Sequence, residues 1–202
     1  MAIVEAYLDL TCPYSYLASS QIDKIAAGTG ARFRWYPVIA ADLFAPGRNP
    51  FQNPPGSPQY DPQFRHADVM RWARYYRIPY RDVRGRIAPD AALLSRAAIA
   101  AGSSERRAPM MKRLFAAVFA EPRQAIGATD LFNFAADVGL DPWEFREALG
   151  GPMIEAERLS ILARATALGA FGTPFFVTNE QTYFGNDRLV LLTHDLVANP
   201  AL

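Results

Sequence analysis

Cysteine is nearly absent from this chain of 202 residues: there is one, Cys12. An internal disulfide is therefore excluded, and a lone thiol suits a reducing compartment, so the expected location is cytoplasmic. Charge of one sign is missing too. The net charge is +1 and the arginines are scattered, which argues against nucleic acid or an anionic membrane as partner. No apolar run approaches ~18 residues, so no membrane span is expected. Met1 to Leu10 lacks the basic start of a secretory signal. The two histidines, His66 and His194, lie far apart in sequence and belong to no ligand-spaced cluster, so no metal site is expected.

What the chain does have is chemistry around its one thiol. Cys12 sits in the run Asp9-Leu10-Thr11-Cys12-Pro13-Tyr14-Ser15-Tyr16-Leu17-Ala18. Ile3 to Leu10 is apolar, β-branched and aromatic, and reads as a buried strand. Ser15 to Ala27 carries a helical pattern that ends at Gly28 and Gly30. A thiol at a strand-to-helix turn meets free helix amides and the positive end of the macrodipole, which favour the thiolate. Cys12-Pro13-Tyr14-Ser15 has the form of a redox CxxC with its second sulfur replaced by a hydroxyl.

Arg32 to Ile39 alternates as a second strand, and Pro37 puts it at an edge or a kink. Between Ala45 and Pro62, Pro46, Pro50, Pro54, Pro55, Pro58 and Pro62 with Gly47 and Gly56 predict a long irregular loop. Helical patterns follow over Gln63 to Tyr76, Pro89 to Ala101, Glu105 to Ala120, Thr129 to Val138, Asp141 to Leu149 and Met153 to Leu168. Asp141-Pro142-Trp143-Glu144 carries a full start signal, with a capping carboxylate, a proline at the first position and an acid in the first turn. Arg65, Arg71, Arg74, Arg77 and Arg81 read as a solvated helix face continuing into a loop with Arg84 and Arg86. Phe175 to Thr178 and Gln181 to Phe184 read as a tight antiparallel pair, and Asn186-Asp187-Arg188 opens a last helix.

This order requires a right-handed parallel crossover at the front and a mixed sheet in which the two chain ends meet. Cys12 then lies beyond the carboxyl end of a parallel strand, where ligands gather in such sheets. Trp35, Trp72 and Trp143 are expected in the core, although Trp72 with Tyr75, Tyr76 and Phe51 has the makings of an aromatic substrate pocket. A Cys12–His66 nucleophile pair requires His66 to fold over the thiol.

With Cys12-Pro13-Tyr14-Ser15 at the first turn and Gly172-Thr173-Pro174 before a late strand, the chain resembles the thioredoxin superfamily, in its DsbA-like branch. More narrowly, Asp9 to Ala18 is similar to the D-F-x-S-P-[YF]-S-[YW]-L-[AG] pattern of 2-hydroxychromene-2-carboxylate isomerases and kappa-class glutathione transferases. Gly169 to Phe176, followed by Phe184-Gly185-Asn186-Asp187-Arg188-Leu189, is similar to their G-x-F-G-x-P-x-F … [FW]-G-x-D-R-x pattern. The resemblance implies an α/β, thioredoxin-like mixed sheet with an inserted all-helical subdomain. Residues 1–45 and 152–202 would form the thioredoxin-like domain, and 46–151 the proline-rich loop plus helical insert.

It also implies roles. Pro174 would be a cis-proline, with Thr173 offering its backbone to the peptide-like backbone of glutathione. Asn186 and Asp187 would hold the γ-glutamyl end, and Asn53 would add a contact from the proline-rich loop. Cys12 takes the place of the family's serine, whose hydroxyl bonds the glutathione sulfur; Cys12 or Ser15 would donate that bond here. The family's lysine, expected near Asp61 or Gln63, is missing, and Arg65 stands one turn away.

The implied activity is glutathione-dependent isomerisation of a small aromatic 2-oxo or chromene carboxylate by reversible thiolate addition, in a homodimer, with neither metal nor nucleotide. The alternatives are a monothiol thiol-disulfide oxidoreductase, a kappa-type glutathione transferase, and a binding module that keeps only the fold.

Overall fold

The strand Ile3–Leu8 (β1) is buried at every position but its first, as expected of a strand covered on both faces. A computed structural model describes residues 1–44, 61–82, 88–122, 125–179 and 181–199. The helix Pro13–Thr29 (α1) carries the chain back so that Arg32–Pro37 (β2) pairs parallel to β1. Gly30, at φ 72°, closes α1 by donating to Ala26, a left-handed cap that suits glycine. Phe175–Thr178 (β3) pairs antiparallel with β1, and Gln181–Phe184 (β4) antiparallel with β3. The sheet order is β2-β1-β3-β4. The proline-ended β2 lies at the edge, where its missing donor is harmless.

Between β2 and β3 run a 3₁₀ turn, Ala40–Leu43, and the helices Pro62–Tyr76 (α2), Ala91–Ala100 (α3), Ser104–Phe119 (α4), Ala128–Asp137 (α5), Pro142–Gly150 (α6) and Met153–Ala167 (α7). Asn186–Arg188 form a short 3₁₀ turn that runs directly into Leu189–Ala198 (α8), with Arg188 as the helix's N-cap. Aspartates start three of these helices. Asp61, Asp90 and Asp141 each accept from backbone amides of the first turn of α2, α3 and α6.

The period of two along the strands sorts the core to the two sheet faces. Val4, Ala6, Leu8 and Phe176 pack with Met110, Phe115 and Phe119 of α4 and Leu192 of α8. Tyr7, Phe175 and Val177 pack with Ile161 and Ala165 of α7. This is the mixed sheet with helices on both faces that the order of elements requires, and it agrees with the thioredoxin-like fold that the resemblance implies.

Two expectations are corrected. β1 ends at Leu8, two residues before the apolar run does, because Asp9 leaves the ladder to hold the following turn. Trp143 is no core residue: it is 71 % exposed, with the guanidinium of Arg146 at 5.7 Å from its ring. Trp35, at 2 %, is in the core as expected.

Candidate active site

The turn after β1 is built on Asp9. One carboxylate oxygen accepts from both the amide and the hydroxyl of Thr11, each at 2.7 Å, and the other accepts from the Ala40 amide at 2.8 Å. The Asp9 amide donates to the Ser15 hydroxyl oxygen at 3.2 Å, and its carbonyl accepts from the Cys12 amide at 3.1 Å. Asp9 thus ties the front of α1 to the chain leaving β2. Cys12 takes the extended conformation of a helix N-cap, and Pro13 supplies the first helical position.

The Cys12 sulfur is enclosed by protein although the residue is partly exposed. Its thiol donates to the Thr173 carbonyl oxygen at 3.6 Å. Burial pushes the thiol pKa up and the Asp9 charge adds to this; hydrogen bonds from the Ser15 amide and hydroxyl and the contact with Thr173 pull it down without prevailing. The expectation that α1 holds Cys12 as a thiolate is therefore corrected: desolvation and a buried carboxylate outweigh the helix amides. Ser15 is fully buried behind the sulfur, so its hydroxyl acts on Cys12 and Asp9.

The Thr173–Pro174 peptide is cis. Pro174 accepts from the Gly185 amide at 2.9 Å, which joins the cis-proline turn to the start of the last helix. Gly185 has φ 94°, and a Cβ there would stand 2.5 Å from the Asp187 carboxylate, so only glycine fits. Asn186 is 3 % exposed, and its backbone carbonyl accepts from the Tyr76 hydroxyl at 3.3 Å. Asp187 is exposed and paired with Arg188. Two buried polar atoms of this wall have no partner among the described residues, Oγ1 of Thr173 and Nδ2 of Asn186. Buried polar groups are normally satisfied, so this wall leaves two groups open to a polar guest.

Sequence reasoning gave no role to Asp9, or to the Tyr14–Asp68 pair. The Tyr14 hydroxyl donates to Asp68 at 2.9 Å, joining the active turn to α2. Burial and that bond push the Tyr14 pKa up, with Arg65 close enough to act against them. An Asp two residues before a Thr is a turn signal that pointed to Asp9; nothing local signals a contact across 54 residues.

Asp61 serves as the cap of α2, so the position where the family's cation is expected does structural work instead. His66 lies 3.2 Å from Asp82 and His194 the same distance from Asp195, so neither pairs with Cys12. Among the described residues no cluster of three metal-ligating side chains occurs. Asn53 and Phe51 fall outside the described residues. Among the described residues no helix is long and apolar enough to cross a membrane.

The model of the DSBA-like thioredoxin domain matches residues 3–197. The chain belongs to that family. Among DSBA-like proteins, it is 26 % identical over 197 residues to the 2-hydroxychromene-2-carboxylate isomerase of Sphingobium xenophagum, covering 94 % of this chain and 95 % of that one. Among solved structures, a 2-hydroxychromene-2-carboxylate isomerase superposes with a TM-score of 0.77 at 22 % identity, over 98 % of this chain and 97 % of the other. The cytosolic disulfide reductase DsbM from Pseudomonas aeruginosa with GSH superposes at 0.64 and 21 % identity, over 97 % and 96 % of the two chains. These DSBA-like neighbours share the fold.

Proposed function

We propose that the chain is a glutathione-dependent isomerase of an aromatic 2-oxo or chromene carboxylate. The observation that carries this reading is the position of Cys12: a thiol at the start of α1, against the carbonyl of a cis-proline turn, with Ser15 where a second cysteine would make a disulfide. The curated relatives named 2-hydroxychromene-2-carboxylate isomerase support the substrate class.

Glutathione, when bound, supplies the thiolate that adds reversibly to a conjugated carbon, so that the bond next to it becomes single and can rotate before elimination. Thr173 would meet its backbone, and Asn186 and Asp187 its γ-glutamyl end. Cys12, held neutral by burial and by Asp9, keeps a proton on its sulfur that it now gives to Thr173. Turned toward a guest, the same S–H can stabilise a neighbouring thiolate by hydrogen bonding. Asp9 favours that protonated state, while Ser15 beside the sulfur opposes it.

A second reading rests on the thiol itself. Where the resemblance leads one to expect serine, Cys12 can attack a disulfide, release one thiol and remain as a mixed disulfide that a second thiol from solution resolves.

The deciding experiment is turnover of 2-hydroxychromene-2-carboxylate, with and without glutathione, by the protein and by Cys12→Ser. Activity that needs glutathione and survives the substitution supports the isomerase. Activity lost in Cys12→Ser, with glutathione-linked disulfide reduction in the parent, moves the assignment to thiol chemistry.

A further inference from the structure

The backbone carbonyl of Asn186 accepts from the Leu189 amide, which closes the 3₁₀ turn Asn186–Arg188, and also from the Tyr76 hydroxyl at 3.3 Å, 110 residues away in sequence. No side chain caps this turn or the start of α8. On its other side the turn is tied to the cis-proline, through the Gly185 amide on the Pro174 carbonyl. The backbone that presents Asn186 and Asp187 is thus held from the cis-proline turn and from α2, and Tyr76 is the tie to α2.

A hydroxyl positions only as well as the ring that carries it. The Tyr76 ring lies 5.3 Å from Trp72 and 5.5 Å from Tyr75, and it packs against Leu17 of α1 and Val69 and Ala73 of α2. The helix is itself seated on the body of the protein. Asp68 accepts from the Tyr14 hydroxyl at 2.9 Å, and just past the helix Pro79 accepts from the Tyr16 hydroxyl at 2.5 Å. The Arg81 amide donates to the Phe119 carbonyl at 2.6 Å. Burial pushes the Tyr76 pKa up and outweighs the Asn186 contact, which lowers it; the charge of Asp187 adds to burial. The hydroxyl therefore keeps the proton that it donates.

What this tie holds bears on binding. Asn186 is 3 % exposed, and its Nδ2 donor is buried without a partner among the described residues. The direction of that donor is set by the backbone behind it, not by a bond of its own. Hydrogen bonds weaken steeply with angle and distance, so a turn displaced by ~1 Å loses much of its grip on a guest. We propose that Tyr76 is a positioning residue: by holding the Asn186 carbonyl from α2, it aims Asn186 and Asp187 at the γ-glutamyl end of glutathione. The inference rests on the glutathione reading of the proposed function.

The test compares the full chain with Tyr76→Phe, which loses the hydroxyl and keeps the ring, and with Tyr183→Phe. The second variant removes a different hydroxyl bond to the last helix, from Tyr183 to Asp195 at 2.7 Å, which does not reach the Asn186 carbonyl. Melting temperature, exchange of the Leu189 amide by NMR and the Kd for reduced glutathione by calorimetry are read for each. In Tyr76→Phe the Leu189 amide should exchange at least about threefold faster, and glutathione should bind about three- to tenfold more weakly, as the loss of one hydrogen bond allows. In turnover, that loss should fall on the KM for glutathione with kcat kept. Tyr183→Phe should lower the melting temperature to a similar degree, with glutathione affinity within about twofold of the parent.

A parent that binds glutathione together with a Tyr76→Phe protein that binds it equally well overturns the inference and leaves the glutathione reading standing. Equal weakening in both variants does the same, because it reports a general loosening of α8. Unchanged exchange at Leu189 overturns it too, since the turn is then held without Tyr76. A parent protein that binds no glutathione defeats the reading itself, and this inference with it.

Discussion

The thiol of Cys12 points at the carbonyl oxygen of Thr173, 161 residues away in sequence and 3.6 Å away in space. That bond needs the sulfur to keep its proton, and the surroundings see that it does. Burial and the Asp9 carboxylate raise the thiol above its ordinary pKa of 9.0, against the pull of Ser15. Alkylation of Cys12 by iodoacetamide should therefore be slow at neutral pH and rise only above the ordinary thiol range. The folded state keeps a proton that the unfolded chain gives up, so this group's contribution to stability is present below about 9.0 and fades as the pH climbs past it.

Asp9→Asn should separate the two duties of that carboxylate. Removing its charge lowers the Cys12 pKa, so alkylation at a given pH speeds up. The amide that replaces one oxygen cannot accept both the Thr11 and the Ala40 bonds, and stability should fall by about 1–3 kcal/mol. Faster labelling together with a lower urea midpoint is the expected pair of results; slower labelling would mean that the negative charge is not what acts on the sulfur.

Tyr14 and Asp68 should show a coupling. Tyr14→Phe and Asp68→Ala each break the hydrogen bond that joins the active turn to α2 through these side chains. A double-mutant cycle by chemical denaturation should return a coupling of ~1 kcal/mol. The two effects adding without coupling would show that the bond contributes nothing net.

The strands, the helices and the meeting of the two chain ends were legible because each has a local cause: period-two apolar runs, capping aspartates such as Asp141, and glycines at helix ends. The cis-proline turn and the glycine before Asn186 were legible through motif, since 173–174 and 185–188 carry a recognisable pattern. What escaped was set by distance or by competition. The Tyr14–Asp68 bond spans 54 residues. The charge state of Cys12 is a balance between helix amides and a buried carboxylate, and the sequence names both without weighing them. Trp143 looked like core because its type is usually buried, yet it sits in the first turn of a capped surface helix.

Glu5 and Arg164 supply an acid-sensitive brace between β1 and α7. Burial by itself would raise Glu5, but the hydrogen bonds from Arg164 and Tyr7, with the charges of Arg164 and Arg34, outweigh it and hold the carboxyl below 4.5. A depressed folded pKa makes the contribution full above the unfolded value and lost as pH falls through the folded one. Glu5→Gln should therefore lower the urea midpoint near neutral pH and narrow its gap to the parent at about pH 3. A gap that is unchanged at the two pH values would show that the loss is one of packing, not charge.

Asn186 should trade stability for binding. Its amide Nδ2 is buried without a partner among the described residues, and an unsatisfied buried donor costs about 1–3 kcal/mol. Leucine has nearly the same shape and no such donor, so Asn186→Leu should raise the melting temperature of the unliganded protein. If that donor is kept for the γ-glutamyl end of glutathione, the same substitution should abolish most of the further rise that millimolar glutathione gives the parent, because ligand stabilisation scales with affinity. A melting temperature raised by the substitution with the glutathione shift intact would remove Asn186 from the site and leave Thr173 and Asp187 to hold the peptide.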